Sequence, residues 1–376
     1  MTAHTPVIDS VAILGGGIFG VSAAVHLARL GVSVNLVNDG PLGGGASSRS
    51  LAWLNSAGSR PAAYHTLRTA GIERYRTLSA SEPNSDWLRF DGGLFWRGSD
   101  RESEIVPRHE HEVAIGYPSE RLLGEDAARR IQGVRAGAIP PIGAILNAAE
   151  GWVDLPTLIA RLADELVTLG GHVITDAGTA EPVLTDNRVI GLRCADGRKI
   201  SADVVLLAAG AAVPNLTTML GCPIADATPI ALLIESESVD HPLQVVLNTP
   251  RVAVRRTPTG AFLFDSGWSE REVVLGDDGR PQARQKTIDG LVAALRDVLD
   301  PVPDIRVAGI HMGPKPIPAD GLPVFGSLPG VENCYVAFSH SGATLGLISG
   351  ELIAQEIALG ISEKLLKPFR PDRLVG

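Results

Sequence analysis

The pattern of apolar and polar residues along the chain predicts both a parallel and an antiparallel sheet. Apolar runs at 11–14 and 202–210 are typical of strands that are buried on both faces of a parallel sheet. Alternating positions predict antiparallel strands with one exposed face at 230–234, 252–256 and 261–265. Helices are predicted at 18–30, 61–76, 157–169, 282–299 and 342–359. The predicted class is therefore α/β, with a second, α+β region built on an antiparallel sheet.

The first apolar strand ends in a glycine motif that is typical of dinucleotide binding. Gly15 allows a tight turn, Gly17 lets a pyrophosphate approach the backbone, and Gly20 lets the following helix pack close to the strand. The first backbone N–H groups of that helix, at Ile18 and Phe19, favour a bound negative charge. An ordinary βαβ unit without a ligand is the alternative, and the complete strand–glycine–helix context disfavours it.

The acid that usually binds the adenosine ribose is expected about 20 residues beyond the glycines, at the end of the second strand. Asn38 occupies that place, and Asp39 follows it. Asparagine can still form a hydrogen bond with a ribose hydroxyl, but as a neutral group. Both residues are therefore candidates for binding the nucleotide.

Length and composition narrow the class of protein. A chain of 376 residues is long enough for two joined domains. A net charge of −9 and the lack of a basic cluster argue against nucleic-acid binding. The sequence has no apolar run of membrane-spanning length, and residues 1–6 lack the features of a signal peptide, so the cytoplasm is the expected location. The cysteines 194, 222 and 334 lie far apart, which favours free buried thiols over a redox pair or an iron–sulfur cluster, and no metal site is predicted.

A second glycine-rich segment follows the second strand. Ala46, Ser47, Ser48 and Arg49 are small or polar residues that are able to wrap a phosphate chain, and the continuation at 52–55 reads Ala-Trp-Leu-Asn. Together with the first glycine motif, this segment resembles the D-amino acid oxidase-type FAD-dependent oxidoreductases, a group that includes glycine oxidase, sarcosine oxidase and D-amino acid dehydrogenase. The resemblance extends along nearly the whole chain.

The resemblance implies two interleaved domains. A Rossmann-like FAD-binding domain is expected at 1–80, 150–215 and 306–376, and a substrate-binding domain at 81–149 and 216–305. The apolar strand that ends in Gly210 matches the second FAD element of the family, where the glycine passes close to the cofactor. Asp154 matches a family motif, and capping of the following helix is the favoured role for its side chain.

The segment 309–326 resembles a family signature that contains a substrate-binding arginine. The position of that arginine is taken by Lys315, which keeps the positive charge but lacks the planar fork that grips a carboxylate. A substrate anion bound by Lys315, or by Arg255 of the predicted antiparallel sheet, is expected; the alternative is that Lys315 is a solvated turn residue.

A last strand leads into a glycine loop and a helix at 339–346. The resemblance implies that this helix points its N-terminus at the flavin N1–C2=O edge, where negative charge collects on reduction. The expected backbone donors are Gly342, Ala343, Thr344 and Leu345. His340 matches a family histidine, for which a catalytic role and a structural hydrogen bond are both open.

The resemblance also implies noncovalent FAD. The cysteine that attaches flavin in sarcosine oxidases is replaced by Gly313, and the loop near Arg49 contains no histidine of the kind that dimethylglycine dehydrogenases use. Arg49 is therefore a candidate basic side chain near the flavin ring. Together with Lys315 and His340, it completes the set of candidate catalytic residues.

The implied activity is oxidation of an amine or amino acid by hydride transfer to flavin N5, followed by hydrolysis of the imine, as in C–N-oxidising oxidases and dehydrogenases. The electron acceptor is O2 or another acceptor, and the chain is expected to work alone, as a homo-oligomer or with a partner subunit. One alternative is a D-amino acid or opine dehydrogenase subunit that passes electrons to a quinone or partner protein. The other is a flavin-binding subunit without turnover. A simple nicotinamide dehydrogenase is disfavoured because both later glycine loops would then have no use.

Overall fold

The computed structural model describes residues 7–375, and the prediction about a signal peptide at residues 1–6 lies outside the described residues. The described helices are α1 (Ile18–Arg29), α2 (Ala62–Ser81), α3 (Ile105–Ala114), α4 (Gly124–Arg130), α5 (Leu155–Thr168), α6 (Val213–Met219), α7 (Gly267–Glu270), α8 (Gln285–Val298) and α9 (Gly342–Leu359). The described strands are β1 (Ser10–Leu14), β2 (Ser33–Val37), β3 (Trp53–Leu54), β4 (Leu88–Arg89), β5 (Gly93–Phe95), β6 (Glu120–Leu122), β7 (Ala144–Asn147), β8 (Gly151–Val153), β9 (His172–Ile174), β10 (Ala180–Thr185), β11 (Arg188–Cys194), β12 (Lys199–Ser201), β13 (Val204–Leu207), β14 (Ile230–Ser236), β15 (Val246–Asn248), β16 (Ala253–Arg256), β17 (Phe262–Asp265), β18 (Val274–Leu275), β19 (Pro281–Gln282), β20 (Val307–Pro314), β21 (Val324–Ser327) and β22 (Cys334–Phe338).

A six-stranded sheet accounts for the apolar runs of the sequence. Its order is β21-β22-β13-β1-β2-β9, and neighbouring strands run parallel except β21, which is antiparallel to β22. In the centre, Ile13 of β1 lies opposite Leu206 of β13 and Leu36 of β2. One face packs against α1, α5 and α9, and the other against α6 and the small sheet β10-β11-β12. Burial on both faces is the reason why the central strands β1 and β13 are almost entirely apolar.

The turn from β1 into α1 depends on two glycines. Gly15 has φ of +118°, a backbone conformation that side chains other than glycine rarely adopt. A Cβ atom on Gly20 would overlap the carbonyl oxygen of Gly15, so only glycine lets α1 pack this closely on the turn. The predicted strand–glycine–helix arrangement is confirmed.

An eight-stranded sheet forms the second layer, in the order β20-β14-β17-β16-β15-β5-β7-β6. The predicted alternating strands are β14, β16 and β17, and their mutual pairings are antiparallel as expected. The predicted exposed face is wrong, because most residues of these strands are buried. One face packs in a core with α8, through side chains such as Leu232 and Phe264. The other face carries Ala231 and Asp265, which line a cavity between this sheet and the rest of the molecule.

The predicted division into FAD-binding and substrate-binding segments stays a prediction. β20 lies within the segment 306–376, yet it pairs along its length with β14 at the edge of the eight-stranded sheet. The C-terminal segment therefore contributes to both layers.

Two further expectations concern cysteines and membranes. Cys194, Cys222 and Cys334 are free and buried, which confirms the prediction of buried thiols. Within residues 7–375, no helix is both long and apolar enough to cross a membrane.

Candidate active site

A cavity of about 590 Å³ lies at the carboxyl ends of the parallel strands. Its wall is built by segments that are distant in sequence, among them the glycine turn, the end of β2, the second glycine-rich segment, the segment after β13 and the loop before α9. The predicted residues that line it are Gly15, Gly17, Ile18, Phe19, Asn38, Asp39, Ala46, Ser47, Arg49, Gly210, His340, Gly342 and Ala343. A ligand site at this edge is what a parallel α/β sheet provides.

Four of the predicted cofactor-binding residues lie outside the wall of this cavity. Gly20 packs behind the glycine turn, and the Ser48 hydroxyl donates a hydrogen bond to the carbonyl of Gly45. Leu345 is completely buried in the core of the parallel sheet. Thr344 instead lines a second, smaller cavity.

The N-terminus of α1 faces the large cavity with donors available for an anion. Gly17 begins the helix without a side-chain cap, and the first turn contains no acidic residue. The Ser47 hydroxyl lies 3.3 Å from the backbone nitrogen of Ile18, which ties the second glycine-rich segment to this helix end. Helix N-termini with free N–H groups bind phosphates well, so this end of the wall suits a pyrophosphate.

The Asn38 carboxamide is engaged by the protein itself. Its Oδ1 accepts a hydrogen bond from the Gly16 nitrogen at 2.7 Å. Its Nδ2 donates to the carbonyls of Gly40 at 2.9 Å and Pro41 at 3.1 Å. The side chain thus braces the glycine turn against the segment after β2, whereas Asp39 next to it is exposed in the cavity wall.

The second cavity, of about 270 Å³, adjoins the first. Residues that line both cavities are Ala46, Arg49, Ser50, Pro314, Pro316, His340 and Ala343. The smaller cavity is also lined by Lys315, by Asp265 from the eight-stranded sheet and by Arg68 from α2. A molecule in the small cavity is therefore in a position to contact a ligand in the large one.

The Lys315 ammonium forms an ion pair with the Glu270 carboxylate, so it is not a solvated turn residue. Burial raises the pKa of nearby Asp265 to about 7, an effect that Lys315 opposes and Glu270 reinforces. This corner therefore holds one neutral ion pair and one titratable acid.

His340 lines both cavities, and its side chain is open to them. Burial lowers its pKa to about 4, and the positive charges of Lys315, Arg68 and Arg60 act in the same direction. The imidazole is therefore neutral at pH 7. A neutral ring is able to donate one hydrogen bond and accept another, but it does not supply a positive charge.

Arg49 lies between the two cavities and packs directly on Gly313. Its Nη1 donates to the Gly44 carbonyl at 2.9 Å, while its Nε is buried without a hydrogen-bond partner. Burial lowers the pKa of the guanidinium. A Cβ atom on Gly313 would lie only 2.7 Å from this Nε, so a side chain at position 313 and Arg49 compete for the same space.

Two side chains with expected roles, Asp154 and Arg255, lie outside both cavities. Asp154 caps α5, accepting a hydrogen bond from the Thr157 nitrogen at 3.2 Å, which confirms the capping prediction. Arg255 is buried and donates to the carbonyl of Leu51, and burial lowers its pKa to about 10. It does not line either cavity, so it is not placed to contact a ligand there.

Sequence reasoning missed two charged residues of the small cavity, Arg68 and Asp265. Arg68 is only 4% exposed, and its guanidinium donates to Asn55, Tyr64, Ser341 and Thr344, all uncharged acceptors. Nothing in the helical pattern of α2 marks Arg68 as buried. Asp265, in contrast, is a charged residue at the end of an otherwise apolar strand, and this change in character was a usable signal.

The parallel sheet, the glycine turn and the cavity at the strand ends form the arrangement that is typical of dinucleotide-binding α/β proteins. A family model described as FAD dependent oxidoreductase matches residues 10–356. The chain belongs to this family, the DAO family of FAD-dependent oxidoreductases.

Similar proteins extend over almost the whole chain. Glycine oxidase of Geobacillus kaustophilus is 24% identical, with 97% of each chain covered. One of the subunits of opine oxidase from Agrobacterium tumefaciens is also 24% identical, with 96% of each chain covered. The crystal structure of glycine oxidase from Bacillus cereus superimposes with a TM-score of 0.80 at 18% identity, covering 96% of this chain and 98% of the other. The Bacillus cereus enzyme therefore has the same fold as this chain.

Proposed function

We propose that this protein oxidises the C–N bond of an amino acid or related amine, with FAD bound in the large cavity and the substrate in the small one. The observation that carries the proposal is the shared wall of the two cavities, formed in part by Arg49, His340 and Ala343. Bound FAD would supply the oxidant, accepting a hydride from the substrate carbon at its N5 atom. The resulting imine would be hydrolysed by water.

The residues of the large cavity fit FAD. The N–H groups at the start of α1 and the Ser47 hydroxyl suit the pyrophosphate, and the exposed Asp39 in the cavity wall supports a role in binding the ribose. The N-terminus of α9 at Gly342, which also lines the cavity, suits the flavin edge that becomes negative. Gly313 supports noncovalent binding, because a cysteine there would have to displace Arg49.

The charges of the small cavity suit a substrate with a carboxylate. Arg49 and Arg68 donate to uncharged groups, whereas Lys315 is already paired with Glu270. A substrate carboxylate is therefore better placed at the arginines than at Lys315, since an anion at Lys315 would compete with Glu270. The named activities of the relatives, glycine oxidase and opine oxidase, agree with such a substrate.

An anaerobic titration tests the proposal. The purified protein is mixed with glycine, sarcosine, D- and L-amino acids and opines, and the absorbance of oxidised flavin is followed. Bleaching by one of these compounds supports the proposal. A protein that carries FAD and is bleached by none of them would be a flavin-binding subunit without turnover, and a protein without FAD would refute the whole proposal.

A dehydrogenase subunit is the second candidate, and the similarity to an opine oxidase subunit favours it. The reduced protein is exposed to air after the titration. Fast re-oxidation with formation of hydrogen peroxide indicates an oxidase, and slow re-oxidation that a quinone accelerates indicates a dehydrogenase.

A further inference from the structure

The corner of the small cavity formed by the eight-stranded sheet holds three charged side chains. Asp265 ends β17, Glu270 ends α7, and Lys315 directly follows β20. The short segment 265–270 therefore supplies both acids, and the neighbouring edge strand supplies the cation. The antiparallel pairing of β14 with β17 on one side and β20 on the other fixes this arrangement.

Glu270 and Lys315 neutralise each other through their ion pair. The Asp265 carboxylate accepts no hydrogen bond from residues 7–375, although it lines the cavity and is partly open to it. Its charge is therefore available to a molecule in the cavity. A carboxylate that is largely withdrawn from water and accepts no hydrogen bond costs stability unless a cation is bound beside it.

The remaining charged or titratable groups that line the cavity are Arg49, Arg68 and His340. His340 is neutral at pH 7 because burial lowers its pKa to about 4. The small cavity thus contains two guanidinium groups and one carboxylate that is not paired with a cation of the described residues. This set is complementary to a molecule that carries both a carboxylate and an ammonium group.

We propose that Asp265 binds the ammonium group of the substrate and removes one of its protons before the C–N bond is oxidised. This inference rests on the proposed function. An N–H bond of the ammonium breaks and an O–H bond forms on Asp265, which leaves a neutral amine with a free lone pair. That lone pair would form the C=N bond of a protonated imine as the α-hydrogen leaves with its electron pair, and bound FAD would supply the oxidant for this step. When the product departs, Asp265 returns its proton to water.

The protonation behaviour of Asp265 supports this role. Burial raises its pKa to about 7, with Glu270 raising it and Lys315 lowering it. A base is most effective when its pKa lies near the working pH. Because only the carboxylate form accepts the proton, the rate of flavin reduction should rise with pH through the pKa of Asp265 and then level off.

Three variants separate a proton acceptor from a structural acid. Asp265→Asn should slow anaerobic flavin reduction at least ~100-fold near neutral pH, the usual contribution of a general base. It should also remove the rise with pH that belongs to Asp265. Glu270→Gln should shift the rise to lower pH because a repelling charge is lost, and Lys315→Met should shift it to higher pH because an attracting charge is lost.

The measurement is the limiting rate of anaerobic flavin reduction from about pH 6 to about pH 9. The probe is whichever compound of the titration panel reduces the wild-type protein fastest. Asp277→Asn, an exposed acid in the turn between β18 and β19, is the matched control and should leave the profile unchanged. Flavin content and thermal unfolding report whether each variant is folded.

The possible results distinguish failure of the inference from failure of the proposed function. If no compound reduces the wild-type protein, the proposed function fails. If the wild type is reduced and Asp265→Asn keeps the wild-type rate and profile, the role of Asp265 is wrong while the proposed function stands. If Asp265→Asn does not fold, the other two variants decide. The inference is overturned if Glu270→Gln and Lys315→Met shift the pH dependence of the reduction rate in the same direction, or do not shift it.

Discussion

Replacing Asn38 by aspartate tests whether this residue binds the nucleotide or braces the glycine turn. In the structure, Nδ2 donates to the carbonyls of Gly40 and Pro41, and Oδ1 accepts from the Gly16 nitrogen. An aspartate keeps the acceptor but replaces the two donors by an oxygen that faces two carbonyls. It also adds a negative charge close to the proposed pyrophosphate position.

The expected cost follows from the number of hydrogen bonds. Each lost bond between uncharged groups costs about 1 kcal/mol, so the loss of two costs about 2 kcal/mol before any repulsion between oxygens. If the glycine turn must be reordered when FAD binds, about 2 kcal/mol corresponds to a roughly 30-fold weaker Kd. Asn38→Ala loses all three bonds and should weaken binding by a similar or larger factor.

The assay is a titration of the apoprotein with FAD, followed by flavin fluorescence, together with chemical unfolding of the apoprotein. Asn84→Asp, the same substitution at an exposed site between α2 and β4, is the matched control and should change neither quantity. Tighter FAD binding by Asn38→Asp would refute the reasoning. That result would mean that the residue acts as the ribose-binding group that is expected at the end of the second strand.

Three further predictions concern the surroundings of the cavities. Gly313→Ala should displace the Arg49 guanidinium and weaken FAD binding. In a double-mutant cycle with Arg49→Ala, the two losses of binding free energy should not add. Additive losses would contradict the contact between these residues. Arg68→Lys should lower the free energy of unfolding by about 2–4 kcal/mol, because lysine keeps the charge but not the planar donors. The loss should be nearly as large as that of Arg68→Met, and chemical unfolding measures both. Full stability of the lysine variant would show that charge alone matters. Burial raises the pKa of Glu150 to about 7, so its carboxylate form destabilises the folded state above pH 7. This loss of stability disappears as the pH falls toward the unfolded-state pKa of about 4.3. Glu150→Gln should therefore raise the melting temperature at about pH 8 and have little effect at about pH 4.5, and an equal effect at both would contradict this assignment.

The fold was largely predictable from the sequence because its strongest signals are local. The β1–glycine–α1 unit follows from three glycines and an apolar run, and α5 follows from its capping Asp154 and its apolar stripe. The helix α3 was not predicted, because Ile105 and Glu112 are its only buried residues and no apolar stripe marks it. A buried glutamate is held there by Arg108 and Asn147, partners that no local pattern reveals.

The residues of the candidate site were predictable where they belong to a sequence motif. They were not predictable where their charge or burial depends on contacts between distant segments. The glycine-rich segments identified the predicted cofactor-binding residues, and most of these residues line the large cavity. The state of Lys315 depends on Glu270, which lies 45 positions away in the sequence. The burial of Asp265 likewise depends on strands that are brought together only in the fold. The balance of charge in the small cavity could therefore not be predicted from the sequence.

The strand order of the parallel sheet also determines when this protein is able to acquire its cofactor during synthesis. β22 pairs with β13, which pairs with β1, so the last part of the chain completes a sheet that the first part begins. The loop that closes one end of the large cavity lies between β22 and α9. A nascent chain that lacks this segment has the glycine turn but an open cavity, and pairings between such distant segments form slowly. Capture of FAD in this cavity would therefore follow synthesis of β22 and α9, and flavin retained by the purified protein would report that β22 has joined β13 and β1.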